Sequence, residues 1–281
     1  MTEDSPHLTP PLHSSWNDPY TPWHDKPLCV GSVSTPSRLL VGTGKFRSPD
    51  VMAQAILASG SNWVTVALRR IDFQTPTHSI LTHLPPDLVL IPNTSGARSA
   101  EEAIRMAKLS RHPERPPLIK IEVTPDHDHL MPDPIDTLRA AEELVKEGFG
   151  VLPYCGADPV LAKRLEEVGC VAVMPLGSPI GSNQGLLTRE FILQIIEGAN
   201  VPVIVDAGIG TPAHACEAMQ LGADAVLINT AIATAANPIL AARAFKQAVM
   251  AGREGYHAGL RPPLAHATPS SPPNTLFPPT L

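Results

Sequence analysis

Several common functional devices are missing from this 281-residue chain, and each absence removes a class of function. The four cysteines (Cys29, Cys155, Cys170, Cys216) lie far apart with no C-x-x-C spacing, which argues against a zinc site or a disulfide framework. That usage fits a reducing cytoplasm, the expected location. The histidines show no H-E-x-x-H spacing, and His127 and His129, beside Asp126 and Asp128, read as a solvated acidic loop rather than a metal site. Lys and Arg are scattered and the formal charge is −6, so no basic stripe awaits nucleic acid. No segment reads as entering or crossing a membrane. The N-terminus carries no basic stretch followed by an apolar core, so no signal peptide is expected.

What is present begins with proline. Of 32 prolines, seven fall in residues 1–36 and seven in 262–281, segments otherwise rich in Ser, Thr and His. Both tails are expected to be mostly irregular. The remaining stretch, 37–261, has a length close to the ~250 residues of an eightfold barrel.

Within it one pattern recurs: a helical segment, a glycine, then a short β-rich run ending in small or polar residues. Gly60, Gly148, Gly169 and Gly222 occupy the glycine position, the usual left-handed stop after a helix. Pro134–Glu147 reads as a helix with Leu138, Ala141, Leu144 and Val145 on one side. Asp158-Pro159 and Thr211-Pro212 read as an N-cap followed by proline at the first helical position. Eight strand-like runs can be placed: Arg38–Val41, Trp63–Leu68, Leu88–Ile91, Leu118–Val123, Val151–Cys155, Val171–Leu176, Val203–Asp206 and Ala225–Asn229. Each of the first seven leaves room for a helix before the next, and Pro238–Ala251 supplies the eighth. Strict strand–helix alternation means a parallel sheet. Eight units without a G-x-G-x-x-G favour a single (β/α)8 TIM barrel, an α/β fold, over an open dinucleotide-binding sheet.

The chemistry concentrates at the ends of these runs. In Leu118–Val123 the alternation puts Lys120 and Glu122 on one face and Ile119, Ile121 and Val123 on the other. A lysine enclosed there is expected to lose its proton more easily than in water, and a neutral amine attacks carbonyls to give an imine. Glu122 or Asp206 could then shuttle the proton of the acidified neighbouring C–H. For Asp206 the alternative is a cap for the helix opening near Thr211-Pro212. Arg69 and Arg70 read equally well as a rim salt bridge or as ligand-binding groups. Gly-rich ends after the first, sixth and seventh runs would let backbone N–H groups approach an anion. The loops after the last two strands are the usual phosphate cradle of such barrels, so a phosphorylated sugar in the mouth is expected.

Longer stretches are more specific. Ile119-Lys120-Ile121-Glu122-Val123, Leu152-Pro153-Tyr154-Cys155, Met174-Pro175-Leu176-Gly177-Ser178-Pro179-Ile180-Gly181 and Val205-Asp206-Ala207-Gly208-Ile209-Gly210 resemble the thiazole synthase of thiamin biosynthesis. Leu40–Phe46, Thr65–Arg70, Pro92–Gly96 and Leu227–Ile232 extend the resemblance over about 37 to 260. It implies a barrel transferase that forms the thiazole phosphate moiety from 1-deoxy-D-xylulose 5-phosphate, dehydroglycine and sulfur from a small carrier protein with a C-terminal thiocarboxylate. By the same resemblance, Lys120 forms the Schiff base, Glu122 and Asp206 move protons, and Gly181, Ala207, Gly208, Asn229 and Thr230 hold the sugar phosphate. It also implies a homo-oligomer and neither metal nor cofactor. Two departures stand out: Asn183-Gln184 between Gly181 and Gly185, where smaller or more apolar residues are expected, and Gly156, where a longer polar residue is expected. Competing readings are another Schiff-base phosphosugar aldolase or isomerase, which needs no carrier, and a non-catalytic barrel that docks one. The intact Lys120, Glu122 and Asp206 set argues against the last.

Overall fold

The computed structural model describes residues 24–71, 80–85, 87–113, 115–126, 128–261 and 263–270. The Pro-rich segment expected to be irregular begins the described chain with an antiparallel hairpin, β1 (Leu28–Val30) and β2 (Val33–Thr35). The reason is local alternation: Leu28 and Val30 are buried, Cys29 between them is exposed, and Gly31 turns the chain at φ 58°. Residues 263–270 are exposed and carry neither helix nor strand. The outer parts of both tails lie outside the described residues.

Eight parallel strands follow: β3 (Leu39–Gly42), β4 (Trp63–Ala67), β5 (Val89–Asn93), β6 (Leu118–Ile121), β7 (Gly150–Cys155), β8 (Met174–Pro175), β9 (Ile204–Val205) and β10 (Ala225–Ile228). Their spatial order is β8-β7-β6-β5-β4-β3-β10-β9. Bridges Val173–Val203 and Leu176–Asp206 join β8 to β9, and the sheet closes into the expected barrel. β8 and β9 are shorter than their apolar runs suggest. Pro175 and Pro202 have no N–H to give to the ladder, although their carbonyls accept from Asp206 and Val173 at 3.0 Å each.

The helices are α1 (Pro49–Ser59), α2 (Ala100–Leu109), α3 (Pro134–Lys146), α4 (Pro159–Glu167), α5 (Arg189–Gly198), α6 (Pro212–Gln220), a short α7 (Thr230–Ala233) and α8 (Pro238–His257). Proline stands in the first turn of α1, α3, α4, α6 and α8, where its missing N–H costs no helical bond. Ser48, Asp133, Asp158, Thr211 and Asn237 cap those five helices through side-chain oxygens. Between β4 and β5 the described residues form 3-10 turns at Leu68–Arg70 and Ile80–His83.

Burial divides the strands into two faces. Ile119, Ile121, Val123, Val151 and Cys155 pack outward against α2, α3 and α4, and Leu39, Val41, Val205, Val226 and Ile228 against α1, α6 and α8. Leu40, Trp63, Ile91, Leu118, Leu152, Met174, Ile204 and Leu227 fill the interior, where Leu28 and Val30 of the hairpin join them. The hairpin thus seals the lower, N-terminal end of the barrel. It is tied down by Asp25, which meets the buried Arg38 guanidinium and also Arg253. The inward positions above this apolar plug, toward the strand C-termini, are polar.

Candidate active site

Those inward polar positions come from strand ends brought together by the barrel. Lys120 is the penultimate residue of β6 and points inward, Glu122 stands just past the strand, and Asp206 follows β9. They are 4%, 6% and 4% exposed. Lys120 Nζ lies 3.0 Å from Glu122 Oε1 and 2.5 Å from Asp206 Oδ2. Oδ2 has no aligned hydrogen-bond donor among the described residues, so the approach of the lysine is a charge contact. The other Asp206 oxygen accepts from the Ala207 N–H at 2.7 Å. Tyr154, inward on β7, places its ring centroid 5.6 Å from Nζ. The helix-cap alternative for Asp206 does not hold, because Thr211 caps α6.

The structure reverses one expectation. Burial disfavours the Lys120 ammonium, but Asp206 and Glu122 together outweigh it and hold the lysine above its ordinary pKa. Their influence was invisible in the run Leu118–Val123, because Asp206 approaches from a strand distant in sequence. The resting lysine is therefore an ammonium. Burial pushes the Asp206 carboxyl above its ordinary value, against the pull of Lys120. A carboxylate of raised basicity in contact with the ammonium is the natural acceptor of its proton. Cys155, next to Tyr154, packs into the outer layer, and burial pushes its thiol up to about 12, so it offers no thiolate.

Glu122 is fixed through its backbone. Thr94, just past β5, donates from Oγ1 to the Glu122 carbonyl at 2.9 Å and accepts from the Glu122 N–H at 2.8 Å. This side-chain splice continues the β5–β6 pairing beyond its last registered pair, Asn93 with Lys120. Nothing in the sequence pattern singled out Thr94 beyond its place after a strand.

Above the triad a cavity of about 350 Å³ opens at the strand C-termini. All the residues expected to hold the sugar phosphate (Gly181, Ala207, Gly208, Asn229, Thr230) line it, with Lys120, Glu122 and Asp206. Ala207 and Gly208 both have positive φ, 57° and 76°. At Gly208 a Cβ would fall 2.6 Å from the Ser178 backbone nitrogen, so the β8 and β9 loops meet only because this residue is glycine. The expected departure at Asn183 has a local explanation: it adopts φ 56°, which asparagine tolerates better than most residues. At Gly156 a Cβ would meet nothing within 4 Å, so the missing side chain leaves open space. Asn229, with its amide nitrogen toward the acceptors, donates to the Gly42 and Gly44 carbonyls at 3.1 and 2.9 Å. It works as a clamp between β10 and β3.

Three cations at the mouth complete the inventory. Lys45, at φ 67°, reaches across to Thr230 Oγ1 at 3.2 Å and lies beside Gly181. The Gly42-Thr43-Gly44-Lys45 loop was legible as a strand end, but nothing local showed where Lys45 points. Arg70 donates to the Thr43 carbonyl at 2.7 Å, and Arg69 approaches Ser95 Oγ at 3.4 Å. Neither arginine pairs with a carboxylate among the described residues, which removes the rim salt bridge as their explanation there. His129 pairs with Asp126 in solvent, while His127 lies outside the described residues. Among the described residues no three His, Cys, Asp or Glu side chains are grouped to hold a metal, and no helix is long and apolar enough to cross a membrane.

Comparison with known proteins agrees with this geometry. The family model for thiazole biosynthesis protein ThiG matches residues 29–272. A thiazole synthase of Syntrophobacter fumaroxidans is 59% identical over 249 residues, covering 88% of this chain and 97% of that protein. One of Flavobacterium psychrophilum is 61% identical over 237 residues, covering 84% and 93%. Among solved structures, the Amycolatopsis orientalis BexX/CysO complex superposes with a TM-score of 0.77 at 35% identity, covering 86% of this chain and 100% of the other.

Proposed function

The chain belongs to the thiazole synthase family of thiamin biosynthesis, and from that premise we propose that Lys120 forms a Schiff base with the ketone of 1-deoxy-D-xylulose 5-phosphate. The observation that carries this is the buried contact of one lysine with two carboxylates, 3.0 and 2.5 Å away, at the floor of a glycine-lined mouth.

Because the resting lysine is charged, the first event is a proton transfer. As the ketone displaces water above Nζ, Asp206 takes the ammonium proton and the neutral amine adds to the carbonyl carbon. Loss of water from the carbinolamine gives the iminium, with the oxygen leaving as water after protonation by the same acid. The iminium draws electrons from the adjacent C–H, and Glu122 and Asp206 are both within reach to carry that proton and move the carbonyl along the sugar. The thiocarboxylate sulfur of a carrier protein then adds to the shifted carbonyl carbon, its acyl C–S bond breaks and the acyl group leaves with the carbonyl oxygen as the carrier's carboxylate. Dehydroglycine closes the ring with loss of water, and the Lys120 amine is released. This makes the protein a sulfur-transferring enzyme of the transferase class.

The sugar phosphate is held by the loops after β8, β9 and β10, through Gly181, Ala207, Gly208, Asn229 and Thr230. Lys45 supplies a cation beside Thr230. At neutral pH a phosphate monoester carries a charge of roughly −1.5 to −2, which this corner of the mouth can compensate. Residues 37–261 form the catalytic barrel, the protein works as a homo-oligomer in the cytoplasm, and neither metal nor cofactor takes part. The carrier docks at the strand C-termini, where the mouth opens; the BexX/CysO neighbour, itself a complex, is consistent with docking of a partner on this fold.

Borohydride reduction in the presence of the sugar phosphate, followed by peptide mass spectrometry, tests the assignment. A reduced sugar adduct on Lys120 is expected. Sugar-phosphate binding without that adduct would leave Lys120 an electrostatic role and overturn the Schiff base.

A further inference from the structure

The wall of the mouth carries Lys45, Arg69, Arg70 and Lys120 against two carboxylates, Glu122 and Asp206, a net charge of plus two. Lys120 is matched by the carboxylates, Arg70 holds the Thr43 carbonyl, and Lys45 stands at the phosphate loops. Arg69 remains. Its one hydrogen bond among the described residues is long, 3.4 Å from Nη2 to Ser95 Oγ, out of five donors that a guanidinium offers. Gly96, at φ 100°, lies under it: a Cβ there would come 3.1 Å from Nη1 and 3.5 Å from Cδ. A glycine thus leaves the room in which the guanidinium lies against the β5 loop.

Position supplies the rest. In the closed ring the ends of β4 and β5, where Arg69 and Ser95 stand, face β8 and β9 across the mouth. The phosphate loops lie on that far side. β5 is also the strand beside Lys120, since Asn93 pairs with Lys120 in register. An anion held by Arg69 would therefore sit close to the sugar carbons attached to Lys120 and away from the phosphate.

We propose that Arg69, laid against Gly96 and steadied by Ser95, binds the carboxylate of the small α-imino acid that reacts with the lysine-bound sugar. It rests on the sugar-phosphate chemistry proposed above and adds a second anion subsite to it. A planar guanidinium matches a carboxylate edge with two parallel N–H donors, which fixes the imino acid in orientation as well as in place. Arg69 is a positioning residue for ring closure and has no part in forming the imine.

The test uses the full chain with 1-deoxy-D-xylulose 5-phosphate, a thiocarboxylated carrier, and glyoxylate with ammonium as the source of HN=CH–COO⁻. Wild type, Arg69→Gln and Arg69→Lys are compared in thiazole formation and in borohydride trapping at Lys120. In Arg69→Gln the half-saturating glyoxylate concentration should rise on the order of ten- to a hundredfold, the loss of a charge-assisted hydrogen-bond pair. The half-saturating sugar phosphate in trapping should stay within about twofold, since the imine forms before the imino acid binds. Arg69→Lys should recover part of the glyoxylate affinity. An unchanged glyoxylate requirement in Arg69→Gln overturns the proposal. So does a shift that appears in the carrier requirement instead, which would give Arg69 to the carrier tail, or a parallel loss of sugar trapping, which would give it to the sugar or the fold. If the wild-type protein traps the sugar but forms no thiazole, the underlying reaction itself is wrong and the subsite falls with it.

Discussion

Replacing Asp206 by asparagine separates two consequences that ordinarily travel together. The substitution keeps the shape of the side chain and removes the charge that lies 2.5 Å from Lys120 Nζ. Unit charges about 4 Å apart at an effective dielectric of about 20 already attract by about 4 kcal/mol, and this pair lies closer. Glu122 remains at 3.0 Å and retains part of the hold on the ammonium, so the lysine pKa falls but part of the attraction is kept. The sign follows from the geometry: Asp206 raises the lysine pKa, so its loss lowers it, and more neutral amine is present at any given pH. Imine trapping by borohydride in Asp206→Asn should therefore reach half its maximum at a lower pH than in wild type. Turnover should move the other way and fall by ~10²–10⁴-fold, because the proton acceptor is gone. The assay is trapping and steady-state thiazole formation measured on the same preparations as a function of pH. A trapping profile that does not move would mean that Asp206 is not the counter-charge of Lys120, and a turnover loss under about tenfold would reduce Asp206 to an orienting role.

Lys120→Arg keeps the positive charge between the two carboxylates but offers no nucleophile, so turnover and sugar adduct should both vanish while the melting temperature changes little; measurable product would refute the imine. Thr94→Val removes both hydrogen bonds to the Glu122 backbone and should lower kcat about tenfold with sugar trapping unchanged. Thr94→Ser should restore it, and a failure to do so would point to packing instead. Asp25→Ala leaves the buried Arg38 with only the more distant Asp224 carboxylate, 4.0 Å away, and should lower the free energy of unfolding by about 2–4 kcal/mol in urea titrations, with Lys120 trapping intact. Despite partial burial, Arg38 and Arg253 hold the Asp25 carboxyl below its ordinary value. Its contribution is thus present above the unfolded-state value and lost as pH falls through the folded one, so wild type and Asp25→Ala should converge in stability in acid.

Much of this architecture was readable because it is written locally. Every barrel strand coincides with an apolar run preceded by a glycine or a polar turn, and Asp158-Pro159 and Thr211-Pro212 announce their helices by chemistry that acts over three residues. Lys120 and Glu122 share a face through strand pleat, which needs no knowledge of the rest of the chain. What escaped depends on contacts between distant segments. Strands of three residues beside several prolines gave no reason to expect β1 and β2, which form because the open lower end of the barrel supplies an apolar partner for Leu28 and Val30. The protonation of Lys120 was misjudged for the same reason, since a strand far along the chain delivers the deciding charge. Lys45 and Arg69 were visible as basic residues after strands, but their direction is set by left-handed turns and glycine contacts that appear only in three dimensions.

The hairpin at the lower end of the barrel has a consequence for the timing of the reaction. With that end stoppered by Leu28 and Val30, the three reactants of the proposed reaction and the water they release would all use the mouth at the strand C-termini. A carrier tail in the entrance obstructs whatever has not yet entered, so the order of arrival is constrained by traffic as well as by chemistry. In the proposed reaction the sugar, which must reach the floor, goes first and is kept there by a covalent bond while later partners come and go. Tethering the first arrival would let a vessel closed at its lower end run a three-component synthesis without losing its early intermediates to solution.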